Sequence, residues 1–150
     1  MSTTKAVRQA LHQRILTWFA APDPEFTVPI APDNIKRFST APDDESESPN
    51  WIIISTVSDR LEKTTTGDST INPRLAVWLL SRLGTDEASK EASLDWIDDA
   101  EEWMLQKLDD EVNQLHWINI KIIGNPRRDS DPAYHGRYRT SLIAVEIEKR

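Results

Sequence analysis

The chain has no cysteine among its 150 residues, only four glycines and only three histidines. Without cysteine there is no disulfide framework, thiolate zinc site, iron–sulfur cluster or cysteine nucleophile, and cellular location is not readable from cysteine usage. The scarce glycines rule out a phosphate-cradling Gly-x-x-x-x-Gly-Lys-Ser/Thr loop, and no Gly-x-Ser-x-Gly elbow occurs. His12, His116 and His135 stand far apart, and none has a partner at metal-ligand spacing. Long apolar runs are also missing: no stretch approaches the roughly 18 residues that a membrane span needs. Mean hydropathy is −0.56, and an amphipathic pattern follows Met1-Ser2-Thr3-Thr4-Lys5 where a secretory signal would carry an apolar core. A soluble chain outside the secretory route is expected, and its length suits one domain with an ordinary core.

Acidic charge is abundant, with 25 acids against 18 bases and a net charge of −7. That balance argues against a protein held on duplex DNA by phosphate neutralisation. The segment 86–111 carries eleven acids and two lysines, a local −9, which leaves +2 for the remainder. Arg127, Arg128, Arg137 and Arg139 form an opposing basic pole. Separated poles suit self-assembly, and equally describe a solvated helix face and a basic loop.

Val7, Leu11, Ile15 and Trp18 recur at helical spacing, predicting a first helix over 5–20 that stops before Pro22 and Pro24. Phe26 to Ile30 alternates like a strand but holds Pro29, as an edge or extended arm would. Residues 39–50 contain four acids, two prolines and a single alanine, the composition of an exposed loop. Trp51 to Val57 reads as a buried strand; Arg74 to Arg82 is apolar on both faces, and its length and flanking arginines favour a central strand over a helix although periodicity alone does not decide; a loop at 63–69 separates the two.

Gly84 ends that strand, and Thr85 is placed to cap a helix running to about Asp110. Leu94, Ile97, Ala100, Met104, Leu105 and Leu108 form its apolar face, with Trp96 and Trp103 on the flank. Two strands follow, 116–123 and 138–148, joined by a long loop over 124–136. The order α-β-β-β-α-β-β predicts an α+β fold: a largely antiparallel or mixed sheet with both helices packed on one face.

Chemistry is hard to find in this pattern. No lysine has an acid two residues before it, so the Asp/Glu-x-Lys nuclease signature is absent, although Glu146, Glu148 and Lys149 come near it. Asp95, Asp98, Asp99, Glu101 and Glu102 read first as a solvated helix face, with Asp95, Asp98 and Glu102 the one set able to hold a weak cation. Tyr134-His135-Gly136-Arg137-Tyr138-Arg139 interleaves aromatics with arginines. That motif could stack on nucleic acid, or form a strand entry whose arginines meet neighbouring acids. Trp96 and Trp103 serve either as core fillers or as interface anchors.

Val7 to Leu11, Trp51 to Ile54, Leu75 to Gly84, the acid-rich helix, Trp117-Ile118, a loop with Pro132 and Tyr134, and a last strand together resemble the tail-terminator, or tail-completion, proteins of long-tailed bacteriophages and prophages. The resemblance spans nearly the whole chain and lies in element order and strand character. It departs from that pattern in the acidic insert at 43–48 and in the strongly apolar strand around Trp78.

The resemblance implies a non-enzymatic virion protein of the tail and neck, assembled in the host cytoplasm and needing no cofactor. A homohexameric ring would cap the tail tube, end its polymerisation and join the head connector or stopper protein, with DNA passing through the lumen and no membrane involved. Another neck component or a non-enzymatic adaptor is the competing expectation, and a metal-dependent hydrolase ranks third.

Ring contacts join unlike patches, so Arg127, Arg128 and Arg137, with Tyr134, Trp96 and Trp103, are the expected interface residues. Asp95, Asp98, Asp99, Glu101 and Glu102 are then the expected partner face or lumen lining, where repulsion would let DNA slide.

Overall fold

A computed structural model describes residues 3–20, 30, 32–37, 49–57, 61–63, 69–71, 74–109, 118–134 and 136–149. It is an α+β fold. The helix α1 spans Thr3–Ala20, and the strands β1 (Ile35–Lys36), β2 (Asn50–Val57), β3 (Leu61–Lys63), β4 (Ser69–Ile71) and β5 (Arg74–Arg82) follow. The helix α2 (Glu87–Asp109) then precedes β6 (Ile118–Arg128) and β7 (Tyr138–Lys149). Five strands form one mixed sheet in the order β1-β2-β5-β7-β6, with β1 parallel to β2 and every other pair antiparallel. β3 and β4 pair as a separate two-stranded antiparallel sheet, so the segment expected as a loop at 63–69 begins and ends in strand.

The apolar runs account for this arrangement. β5 lies at the centre of the sheet between β2 and β7, which is why its sequence is apolar on both faces. Leu75, Val77 and Leu79 of β5 join Ile52 and Ile54 of β2, and Ile143, Val145 and Ile147 of β7, on one face. Both helices dock there. Val7, Leu11, Ile15 and Trp18 supply the buried stripe of α1, and α2 adds Trp96, Ile97, Ala100, Trp103, Met104 and Leu108. His12 ties α1 to the sheet through a 2.9 Å hydrogen bond between its Nε2 and the Ile35 carbonyl oxygen. The opposite face carries a smaller cluster of Trp51, Ile53, Leu80 and Tyr138, with Trp78 and Tyr134 packed against it.

Several boundaries differ from expectation. Asp86, not Thr85, caps α2: its Oδ1 accepts the Ser89 amide hydrogen at 2.8 Å, and that contact to Ser89 holds the Asp86 carboxyl below its ordinary pKa. Gly84 is required just before this turn, because a Cβ there would lie 2.3 Å from that of Ser89. The buried arc of α2 is rotated toward the two tryptophans, leaving Leu94 at 38% exposure and Leu105 only half-buried. The bulky indoles win the core because burying them removes the most apolar surface from water.

β6 continues through 124–128, which had read as loop. Gly124 takes a φ of +67° and the register slips between Ile123 and Arg127, so a bulge carries the strand past Gly124 and Pro126. Asn50 likewise belongs to the sheet and not to the exposed stretch before it. Its side-chain oxygen accepts a 2.7 Å hydrogen bond from Ser81, and its carbonyl accepts one from Asn34. The arm at 26–29, the acidic insert at 43–48, His116 and His135 lie outside the described residues.

Candidate functional site

Strand alternation places Arg128 and Arg127 on opposite faces of β6, and the two side chains meet different surroundings. Arg128 stands opposite Ser141 on the helix side. Its Nε donates to Glu101 at 2.6 Å and one terminal nitrogen donates to Asp98 at 2.8 Å. Ser141, fully buried in β7, donates its hydroxyl to the same Glu101 oxygen. The Glu101 hydrogen bond, aided by Asp98 and opposed by burial, raises the Arg128 pKa above its ordinary value. These contacts bolt α2 to the β6–β7 edge within one chain. The pairing expected between neighbouring subunits is, for Arg128, made internally, and Asp98 and Glu101 are used in it.

The turn between β6 and β7 is built around Asp129, which adopts a φ of +49°. Asp129 donates its amide hydrogen to the Thr140 carbonyl at 3.0 Å. Its carboxylate accepts from the Thr140 amide at 3.1 Å and from Arg139 at 3.2 Å. So the second arginine of the aromatic–basic motif meets an acid of its own turn. Tyr134 is half-buried, 6.1 Å from the Trp78 ring and edge-on to Tyr138 at 5.9 Å. Burial, and then the charge of Asp131, push its phenol pKa up. Arg137 is exposed, with its guanidinium 5.7 Å from the Tyr138 ring centre. Trp78, Tyr134 and Tyr138 form an aromatic corner of the sheet here.

Trp96 and Trp103, expected as possible interface anchors, are each 6% exposed and belong to the helix-side core. Lys107 covers the Trp103 ring at 4.3 Å. Most of each indole is therefore buried in the core, and Trp96 keeps only an edge on a cleft beside α2. The remaining exposed groups are Asp95, Asp99 and Glu102 along the outer side of α2, and Arg127 on the far face of β6. None of these four makes an ion pair among the described residues. Arg127 borders a shallow cavity of about 220 Å³ floored by Ile123, Leu142 and Ala144, with Arg74 on its other side. Arg74 lies 4.0 Å from Glu146.

A cleft of about 530 Å³ runs between α2 and the ends of β2 and β5. Small side chains open it: Ser81, Gly84, Ser89, Ala92 and Ser93 line it, and Trp96, Asp95 and Asp99 form its helix wall. Sequence reasoning missed it because no motif marks it. Its depth comes from small residues on three elements that meet only on folding.

No group of three or more acids or histidines is arranged to hold a metal ion among the described residues. The trio Asp95, Asp98 and Glu102 does not act together, since Asp98 is turned to Arg128. No described helix is long and apolar enough to cross a membrane. The chain matches no protein-family model and no curated protein.

Proposed function

We propose that the protein is a structural ring-former of the phage tail and neck, a tail terminator. Its copies close into a hexameric ring that caps the tail tube, ends tube growth and receives the head connector. The observation that carries this reading is the placement of the unpaired charges. Free carboxylates lie on the outer side of α2, above one face of the sheet, and Arg127 lies on the outermost strand at the other face. Lying on opposite faces of the sheet, such patches do not satisfy each other within a copy. They join unlike surfaces head to tail, the contact type from which rings are built.

The α+β layer with β6 at one edge of the sheet suits this role, because a rigid sheet holds the two patches at a fixed angle. An excess of negative charge over the whole chain favours passage of DNA through a lumen without adhesion. Electron microscopy of the purified full chain tests the reading. Closed rings of one copy number with a central opening are expected, and single chains or open filaments under all conditions would contradict it.

A further inference from the structure

We infer that the large cleft beside α2 is a socket for a guanidinium side chain, and that Arg127 of a second copy fills it. The inference rests on the ring reading and assigns its seam. The serine hydroxyls of the cleft floor are already engaged. Ser81 donates to Asn50, and Ser93 donates to the carbonyl oxygens of Arg82 and Ser89. The floor therefore offers little to a polar ligand. The helix wall differs: Asp95 and Asp99, one turn apart, are exposed and without ion pairs among the described residues, and Ala92 and Trp96 flank them with apolar surface.

A long aliphatic stem with a cationic head matches this pattern, the stem lying along Ala92 and Trp96 and the head between the two carboxylates. A guanidinium suits it better than an ammonium, because its planar fork can donate to both acids at once. Arg82 also lines the cleft and has contacts of its own, so the two acids leave the lining net negative by one charge, which a second guanidinium balances.

The occupant follows from the other arginines of the basic pole. Arg128 is bound to Asp98 and Glu101, Arg139 to Asp129, and Arg137 lies by Tyr138. Arg127 is exposed on the outermost strand and has no ion pair among the described residues. Socket and arginine sit on different elements and opposite faces of the sheet, so each copy gives one and receives one.

Native mass spectrometry of the full chain at low salt tests the seam. At a concentration where the wild type is fully assembled, Arg127→Glu and the double variant Asp95→Lys/Asp99→Lys should each fall to the single-chain mass of 17.2 kDa. Ala92→Trp, which fills the cleft and leaves the charges intact, should do the same. Arg127→Glu combined with Asp95→Arg/Asp99→Arg should recover the assembly. Circular dichroism confirms that each variant is folded, which these exposed positions favour. An assembled wild type whose mass none of the variants shifts overturns the socket and leaves the ring standing. Loss in every variant without recovery in the charge swap also overturns the pairing. A wild type that stays a single chain at every salt concentration overturns both.

Discussion

Arg127 and Arg128 are adjacent in the chain and alike in chemistry, yet they do opposite things. Arg128 faces α2 and is held by two carboxylates and, through Glu101, by a buried serine of β7. Arg127 faces the other side of the sheet, exposed beside an apolar hollow. The pleat of one strand separates a group that holds the fold together from one that faces solvent. A basic cluster read from sequence is therefore not one functional unit, because its members divide between faces.

Variants of the helix side should show the largest effects on folding. Trp103→Ala removes a buried indole from the interface of α2 with the sheet and should cost about 3–5 kcal/mol, read as a lower denaturant midpoint. If Trp103 were instead an interface anchor, stability would hold and only assembly would change. Arg128→Ala should cost about 1–2 kcal/mol, since it leaves Glu101 half-buried without its charged partner. Equal costs for Arg128→Ala and Arg127→Ala in urea unfolding would erase the contrast between the two faces.

The cap of α2 gives a smaller, pH-dependent signal. Asp86 titrates below its unfolded value of 3.8 because the folded state hydrogen-bonds its charged form through Ser89. Its contribution is present above that value and is lost as the pH falls through the lower folded pKa. Asp86→Asn should flatten this part of the acid-unfolding profile, and an unchanged acid limb would remove Asp86 from the account. Arg127→Ala should have the smallest effect on folding, within about 0.5 kcal/mol, as for exposed positions free of special contacts. Its consequence should appear in assembly alone.

Much of the fold was legible because burial writes itself into periodicity. The stripe Val7, Leu11, Ile15 and Trp18 had one reasonable placement, and the two-faced apolar run of β5 was assigned to a strand by its length and flanking arginines and not by its periodicity. The continuation of β6 was hidden by Gly124 and Pro126, which signal a loop locally and are accommodated here by a bulge at an outer strand. The rotation of α2 was hidden because Leu94 and Trp96 compete for burial, and only the shape of the sheet beneath decides between them.

The site was less legible than the fold. Charge poles could be counted from the sequence, but whether an arginine meets an acid of its own chain depends on strand register, which no local pattern prints. Arg128 with Glu101, and Arg139 with Asp129, are such cases. The cleft beside α2 had no signature at all, being defined by what small residues leave empty.

Under the ring proposal, opposite free charges on opposite faces of the sheet drive the chain into a closed ring. The native mass of the wild-type protein across salt concentrations tests it most directly. One discrete hexamer at low salt, dissociating toward single chains as salt screens the ionic seam, is the result expected. A single chain at every ionic strength would contradict the claim.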